Sequence, residues 1–495
     1  MKANRTFSWP NFLIVAFSVV VLFFSVRSNS LWIDEGQTFA VISTTWRNMI
    51  HAILKNGNAI SGMPLYFLCE FWWCKIFGYS EFALRSMNFI CAIFVLWGSR
   101  KIINNMKLPI WSLVLFVLNP VFLYYMNEAR PYAAIYACGL WCIYFLCKLI
   151  DNINVKDLFL FLICFWIGCA LHMMFIFMAV VYACLVLWHF YHGSLKIIDH
   201  LLVWLCLLPL FMLLAIHYMH VVFNAPEVNS SNAKPLASIL QIGYYFAGFG
   251  GLGWSRNDLR SMNLAISWRI IVELAMMIIS YIAILGCFLK HKLFKHIKII
   301  LIFLCFVSAL SCFIIANIIL KTRFWERHII YLIPCIILIL ASVLSDSLAK
   351  HDSWAMKIII GVFIAMNLLS GFNIIAMNYY QKDNYRDAIT LAKSFNPKHI
   401  FFQGDSLTFN YYGIKGVNAW SVLDNTPMLD DYINISTATE PLLEFLLNRT
   451  KGDTVLILNE KHDFDTGLLY KNLASKGTCV NSFSVIFIPS SEQRN

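Results

Sequence analysis

The sequence predicts a polytopic α-helical membrane protein with about eleven spanning helices and a small C-terminal α/β domain, and three observations carry that prediction. The 495 residues are 60% apolar and only 13% charged, whereas soluble domains run near 45–50% apolar and about 25% charged. Eleven apolar runs are long enough to cross a bilayer, for which an α-helix needs roughly 20 residues. Polarity then changes near residue 378: from Tyr379 onward the chain holds 11 Lys/Arg and 13 Asp/Glu, leaving 27 bases and 14 acids before it. This predicts a membrane domain over 1–378 and a soluble domain over 379–495. The formal charge of +11 thus belongs to the membrane part. Its bases sit at the ends of apolar segments and form no continuous stripe, which excludes nucleic acid as the partner.

The apolar runs fall at 10–26, 82–100, 108–126, 131–150, 157–174, 175–192, 197–221, 265–289, 297–320, 328–347 and 356–377. Lys2 and Arg5 precede the first, with no small-residue cleavage site after it, so it reads as an uncleaved signal anchor. The stretch 157–192 is divided near His172, because a single helix of that length overshoots the bilayer. Outer loops 27–81 and 222–264 are long, whereas 127–130 and 321–327 are tight turns. Within the first loop, Pro64 to Lys75 is aromatic and too short to span, and reads as an interfacial amphipathic helix.

Cytoplasmic loops gather Lys and Arg, which places the N-terminus inside and, with eleven spans, the tail outside. The inner face then holds twelve Lys and two Arg, and the outer loops nine Arg and four Lys. Lys is a hydrated anchor, whereas the planar Arg fork grips phosphate bidentately. The outer face is therefore the one suited to anions. In the tail, strand-like runs at 399–402, 454–458 and 483–488 alternate with helical stretches at 385–392 and 441–447, the pattern of a small α/β domain. The 15 Cys are scattered through apolar segments without a disulfide framework and read as small hydrophobes.

Three constellations can carry chemistry. Trp32-Ile33-Asp34-Glu35-Gly36 stands just beyond the first helix. Acids near a bilayer are costly unless solvated or used, and a carboxylate here can accept a proton from an acceptor hydroxyl; a solvated turn is the plain alternative. Tyr124-Tyr125-Met126-Asn127-Glu128-Ala129-Arg130-Pro131-Tyr132 forms the next outer turn, with Pro131 suited to a helix start and the helix N-terminus beside Arg130 forming an anion site. The alternative is an aromatic belt with an Arg reaching lipid phosphates. Lys321-Thr322-Arg323-Phe324-Trp325-Glu326-Arg327-His328 has three Lys/Arg and a single acid, a surplus that phosphate would neutralise. Arg256, Arg260 and Arg269 around the fourth outer loop invite the same reading. Gly248-Phe249-Gly250-Gly251-Leu252-Gly253 matches G-x-G-x-x-G but lies between spanning helices rather than in a βαβ unit, so it is rejected as a nucleotide fingerprint. No His/Cys/carboxylate cluster has ligand spacing, so no cofactor is expected and the sequence lends a divalent cation no support.

These residues resemble a known group. Asp34-Glu35 after the first helix, Pro64-Leu65-Tyr66, Phe77 to Arg85, Glu128-Ala129-Arg130-Pro131-Tyr132, and Arg327-His328 leading to Pro334 occur in the order seen in bacterial relatives of the dolichyl-phosphate-mannose protein mannosyltransferases. The lipid A aminoarabinose transferases belong to the same GT-C class. The resemblance covers about residues 10–345. Where many relatives have a His before Pro-Leu-Tyr, this chain has Ser61-Gly62-Met63, and His328 stands where a Tyr is usual.

The resemblance implies a GT-C-like fold and an inverting glycosyltransferase that moves a sugar from a polyprenyl phosphate to an extracytoplasmic acceptor, which is a glycolipid such as lipid A, a polysaccharide or a protein. The setting is a bacterial-type inner membrane. Asp34 matches the family's catalytic acidic position, with Glu35 expected to position the acceptor. A departing phosphate needs neutralising more than protonating, so Arg130, Arg327, Arg323 and Arg256 are the donor-phosphate candidates, and one carboxylate suffices as base. Glu128, Tyr132, Tyr66 and His172 are the substrate-positioning candidates. A lipid-linked sugar flippase is the main rival, but transporters place polar residues near the midplane and show repeated halves, whereas these gather at one face. A lipid-linked glycan polymerase or ligase would use similar outer Arg residues.

Overall fold

The computed structural model describes residues 9–27, 29–54, 60–192, 197–223, 235–255, 258–259, 266–290, 297–319, 325–349, 354–377, 380, 382–403, 405–414, 417–418, 432–434, 453–459, 478–480 and 483–489. Its first helices are α1 (Trp9–Ser25), α2 (Ile33–Ile42), α3 (Trp46–Leu54), α4 (Pro64–Phe77), α5 (Glu81–Ser86), α6 (Asn88–Asn105), α7 (Ser112–Val117), α8 (Pro120–Met126), α9 (Tyr132–Asp151), α10 (Val155–Leu171) and α11 (Met178–Tyr191). They continue with α12 (Ile197–Phe223), α13 (Pro235–Phe246), α14 (Trp268–Lys290), α15 (Ile297–Ile319), α16 (Ile333–Ala349), α17 (Trp354–Ala376), α18 (Tyr385–Ser394) and α19 (Ser406–Tyr411).

Eight of the eleven apolar runs become helices long and apolar enough to cross a membrane among the described residues. The other three form shorter helices among the described residues. The first and fifth runs form α1 and α10, each of 17 residues. The run 108–126 is broken, because Asn119 accepts hydrogen bonds from the backbone N–H groups of Val121 and Phe122 and Pro120 takes the first helical position. A side-chain cap followed by Pro starts a new helix, leaving α7 and α8 with six and seven residues. The division near His172 is present: α10 ends at Leu171, and a 3-10 turn over Met173–Phe177 leads into α11.

Two segments sit deepest. The hydrophobic stretches of Tyr132–Asp151 and Glu326–Asp346 are 67% and 72% buried, against 17% for His200–Val222. They meet at Gly139, where a Cβ would lie 2.3 Å from the Tyr331 carbonyl oxygen, so only glycine permits this approach. Both central segments begin at one of the Arg-bearing turns. The glycine string Gly248–Gly253 packs against α17, with the Gly251 N–H donating to Ser370 Oγ at 2.9 Å.

In the tail, strands β1 (His399–Phe402), β2 (Val417–Asn418), β3 (Tyr432–Asn434), β4 (Thr454–Asn459), β5 (Thr478–Val480) and β6 (Phe483–Ile488) form one sheet in the order β2-β3-β1-β4-β6-β5. β2, β3, β1 and β4 run parallel, while β6 is antiparallel to β4 and β5. The expected helix at 441–447 lies outside the described residues. Tyr385, Ala388 and Ile389 of α18 pack on Ile400, Val455 and Phe483, and Ile33 of α2 packs against the same core. Gly36 makes this docking possible, since a Cβ there would stand 2.1 Å from Thr408 Oγ1 and 2.9 Å from the Thr408 backbone.

Candidate active site

Asp34 and Glu35 occupy the first turn of α2, not a loop as their sequence context suggested. Carboxylates are favoured there by the helix dipole, and Glu35 at the third position accepts the Trp32 backbone N–H at 3.3 Å, closing one half of a capping box. Successive residues on a helix point about 100° apart, so the two acids part company.

Glu35 turns inward and is fully buried. Its Oε1 accepts from Arg85 Nε at 2.7 Å and the Ala129 N–H at 2.8 Å, and its Oε2 from Arg85 Nη2 at 2.6 Å. Burial alone would raise this carboxyl, but the charges of Arg85 and Lys382 and the hydrogen bonds from Arg85 and Ala129 outweigh it and hold Glu35 below the usual carboxylate range. The other Arg85 donors reach the carbonyls of Arg27, Asn29 and Ser30 at 2.9, 2.7 and 3.0 Å. Glu35, expected beside the acceptor, is thus the anchor that ties α2 to the segment before it and to the Glu128-Ala129-Arg130 turn.

Asp34 remains partly exposed and faces two guanidinium groups. Its Oδ2 accepts from Arg327 Nη1 at 2.6 Å, and its Oδ1 lies 3.8 Å from Arg130 Nη2. Arg130 is 2% exposed. Its Nη2 donates to Gln37 Oε1 at 3.3 Å, while its Nε and Nη1 are buried without a hydrogen-bond partner. Buried donors are seldom left unmade, so Arg130 presents unused donor capacity beside Asp34. Arg327 Cζ stands 5.6 Å from the Tyr132 ring centre and 5.9 Å from that of Trp32, an aromatic setting suited to a guanidinium.

The two Arg turns are held from behind. Asn88 Nδ2 donates to the Met126 and Glu128 carbonyls at 3.0 and 2.8 Å, and Thr38 Oγ1 to the Ala129 carbonyl at 3.1 Å. Glu326, buried, accepts from Tyr125 Oη at 2.7 Å and Gln241 Nε2 at 3.0 Å. His172 is buried; its Nδ1 accepts the Met174 N–H at 3.1 Å, and its ring lies 6.0 Å from Tyr132 and 5.6 Å from His328. Tyr66 is buried on α4, as is Glu70, and burial pushes the Glu70 carboxyl well above its ordinary range. Arg256 and Arg323 lie outside the described residues. Arg269 pairs with Glu273 at 2.8 Å. Among the described residues no three His, Cys, Asp or Glu stand together to hold a metal ion.

The tail adds residues that sequence reasoning did not select. Lys382 Nζ lies 2.9 Å from Glu128 Oε1. Asp405 caps α19 by accepting the Thr408 N–H at 2.8 Å, and its carboxyl is raised first by burial and also by nearby Asp34, against the pull of the Thr408 hydrogen bonds. Glu81 accepts from Arg386 Nη1 at 2.7 Å and Tyr412 Oη at 2.5 Å. A cavity of about 210 Å³ beside the site has Arg27, Arg85, Tyr124, Lys382 and Arg386 in its wall.

The chain is a helical membrane bundle with short helices and Arg-bearing turns gathered around an acidic first-loop motif, and its likeness to a solved structure makes the fold GT-C-like. No protein-family model and no curated protein matches the chain. Among solved structures it is similar to ArnT from Cupriavidus metallidurans in the apo state, at 10% identity and a TM-score of 0.51, covering 97% of this chain and 98% of that one. The same ArnT bound to undecaprenyl phosphate aligns at 10% identity and a TM-score of 0.48, over 96% and 97% of the two chains. The fold of this chain is therefore that of ArnT, a lipid A aminoarabinose transferase of the GT-C class.

Proposed function

We propose that the protein is an inverting glycosyltransferase that takes a sugar from a polyprenyl-phosphate donor and places it on an extracytoplasmic acceptor hydroxyl or amine. The observation that carries this reading is Asp34 standing between Arg327 and Arg130, with two buried Arg130 donors unused. A phosphate oxygen entering there would satisfy those donors by charge-assisted, bidentate hydrogen bonds. It would also compete with Asp34 for the guanidinium groups and release the carboxylate as donor binds.

The acceptor then attacks the anomeric carbon from the face opposite the phosphate. The C–O bond to phosphate breaks as the new bond forms, the electron pair leaves on phosphate, and the acceptor proton passes to Asp34. Arg130 and Arg327 stabilise the departing charge where it develops. Glu35 acts from a distance, fixing α2 through Arg85. The Lys-rich helix ends favour a cytoplasmic N-terminus and an extracytoplasmic site, which suits a donor carried across the membrane on lipid.

The test compares envelope glycolipids and glycoproteins by mass spectrometry in cells lacking the protein and in cells carrying wild type or Asp34→Asn at equal levels. Wild type restores a sugar modification and Asp34→Asn does not. Full restoration by Asp34→Asn sinks the assignment. Movement of lipid-linked sugar across vesicle membranes by the purified protein, without transfer, favours a flippase.

A further inference from the structure

We infer that Lys382, from the tail, keeps Arg130 available to its anion by occupying Glu128, and is thus a positioning residue of the site. The inference rests on the donor-phosphate reading of Arg130.

Glu128 is fully buried, two residues before Arg130 in the same turn. The backbone of the turn is committed: the Glu128 carbonyl accepts from Asn88 and from the Arg130 N–H at 2.8 Å, and the Ala129 N–H is held by Glu35. Neither Glu128 carboxylate oxygen accepts a hydrogen bond of good geometry, and among the described residues Lys382 is the one cation within ion-pair distance of it. A buried carboxylate must find a counter-charge or lose its own. With Lys382 gone, Nε and Nη1 of Arg130, two residues further on in the same turn, are buried donors still unused. Glu128 would then capture Arg130 and draw the fork away from Asp34.

Lys382 is itself well fixed. Its Nζ lies 3.4 Å from the Asn127 carbonyl oxygen and stands over the rings of Trp32 and Tyr124 at 5.0 and 5.2 Å. Trp32 also carries Arg327, so the tail lysine and one of the site arginines are organised around the same ring. Chain geometry supports the same role, since α18 starts at Tyr385 and Arg386 locks onto Glu81, holding Lys382 against the turn.

The test uses the full-length protein in detergent with undecaprenyl phosphate as probe. Lys382→Gln should weaken binding at least tenfold, and Lys382→Arg should stay within about threefold of wild type. The Lys382→Gln/Glu128→Gln pair, which removes the capturing charge, should return to within about threefold. A lysine that merely docks the tail would leave the double variant as weak as the single one, and that result overturns the inference, as does a Lys382→Gln protein that binds like wild type. Hydrogen exchange across 127–132 without ligand is the second readout: slowed exchange at Arg130 in Lys382→Gln, reversed in the double variant, is expected, and no change refutes it. Failure of wild type to bind undecaprenyl phosphate would sink the donor reading alone, since the exchange measurement needs no ligand.

Discussion

Replacing Glu35 with Gln probes the bond that holds the site in place. The wild-type carboxylate accepts four hydrogen bonds, from Arg85 Nε, Arg85 Nη2, Ala129 N and Trp32 N, at 2.7, 2.6, 2.8 and 3.3 Å. An amide of the same shape keeps one acceptor but turns its NH₂ toward donors on the other edge. At least one charge-assisted bond, worth roughly 1.5–3 kcal/mol, becomes a donor–donor clash, and Arg85 is left as an uncompensated buried charge. Breaking a buried pair from one side costs about 3–5 kcal/mol, and this is the expected loss for Glu35→Gln. Arg85→Met should cost at least as much, because it also abandons the carbonyls of Arg27, Asn29 and Ser30. The double variant Glu35→Gln/Arg85→Met should lose markedly less than the sum, since neither charge is then stranded. Equilibrium unfolding in mixed micelles with increasing dodecyl sulfate measures all three. The pH dependence has a definite sign. Because the folded Glu35 carboxyl is held below its unfolded value of about 4.3, its contribution is fully present above that pH and is lost as pH falls through the depressed folded value. The gap between wild type and Glu35→Gln should stay constant from neutrality to about pH 5 and close only in stronger acid. A single-variant loss under about 1 kcal/mol, or strictly additive losses, refutes the anchor role.

Three further outcomes follow from the same geometry. Arg130→Lys keeps the charge but gives up the planar fork, and should weaken undecaprenyl-phosphate binding by about tenfold or more, the equivalent of one charge-assisted hydrogen bond; affinity within twofold of wild type in a titration refutes bidentate recognition. Gly36→Ala places a methyl 2.1 Å from Thr408 Oγ1 and 2.9 Å from its backbone, so it should loosen the tail by about 1–3 kcal/mol of overpacking, seen as faster proteolysis near 403–414, and Thr408→Ala should not restore it because the backbone contact persists. Asp405→Asn keeps a cap acceptor and removes a carboxyl whose folded value is raised. The contribution of that carboxyl is present below about pH 3.9 and lost as pH rises through the folded value. Tail docking in Asp405→Asn should therefore be at least as firm as wild type at pH 7, and hydrogen exchange at 405–414 that speeds up there speaks against it.

Local signals made much of the fold legible. The runs at 399–402, 454–458 and 483–488 are strands, Pro64 opens a helix too short to span, and the chain breaks at His172. Three outer motifs far apart in sequence also yielded Asp34, Arg130 and Arg327, which the structure brings together. The misreadings have physical causes. The run 108–126 is uniformly apolar, and hydropathy outweighed the Asn119-Pro120 cap that splits it. Asp34-Glu35 looks like a loop because Trp32 and Ile33 give no helical periodicity, although Glu35 three residues after Trp32 is half of a capping box. Adjacent carboxylates suggested a joint role, yet one helical step of about 100° leaves Asp34 at the site and turns Glu35 into the core. Lys382, Thr408 and Tyr412 carry no local pattern that pairs them with residues 30–36; only the folded tail does.

The grip of the tail on the first outer segment also sets an order of assembly. Ser30 receives the Arg386 N–H across 356 residues of chain, and Leu31 donates to Tyr412 across 381. During synthesis, the segment bearing Asp34 leaves the ribosome long before its last partners exist. The helices can insert and pack as they emerge, but Glu128 receives Lys382, and Gly36 receives Thr408, only after the final helix is in place. Maturation of the site is thus timed by the end of translation, and a chain cut short before Lys382 would be a membrane bundle whose reactive corner was never closed.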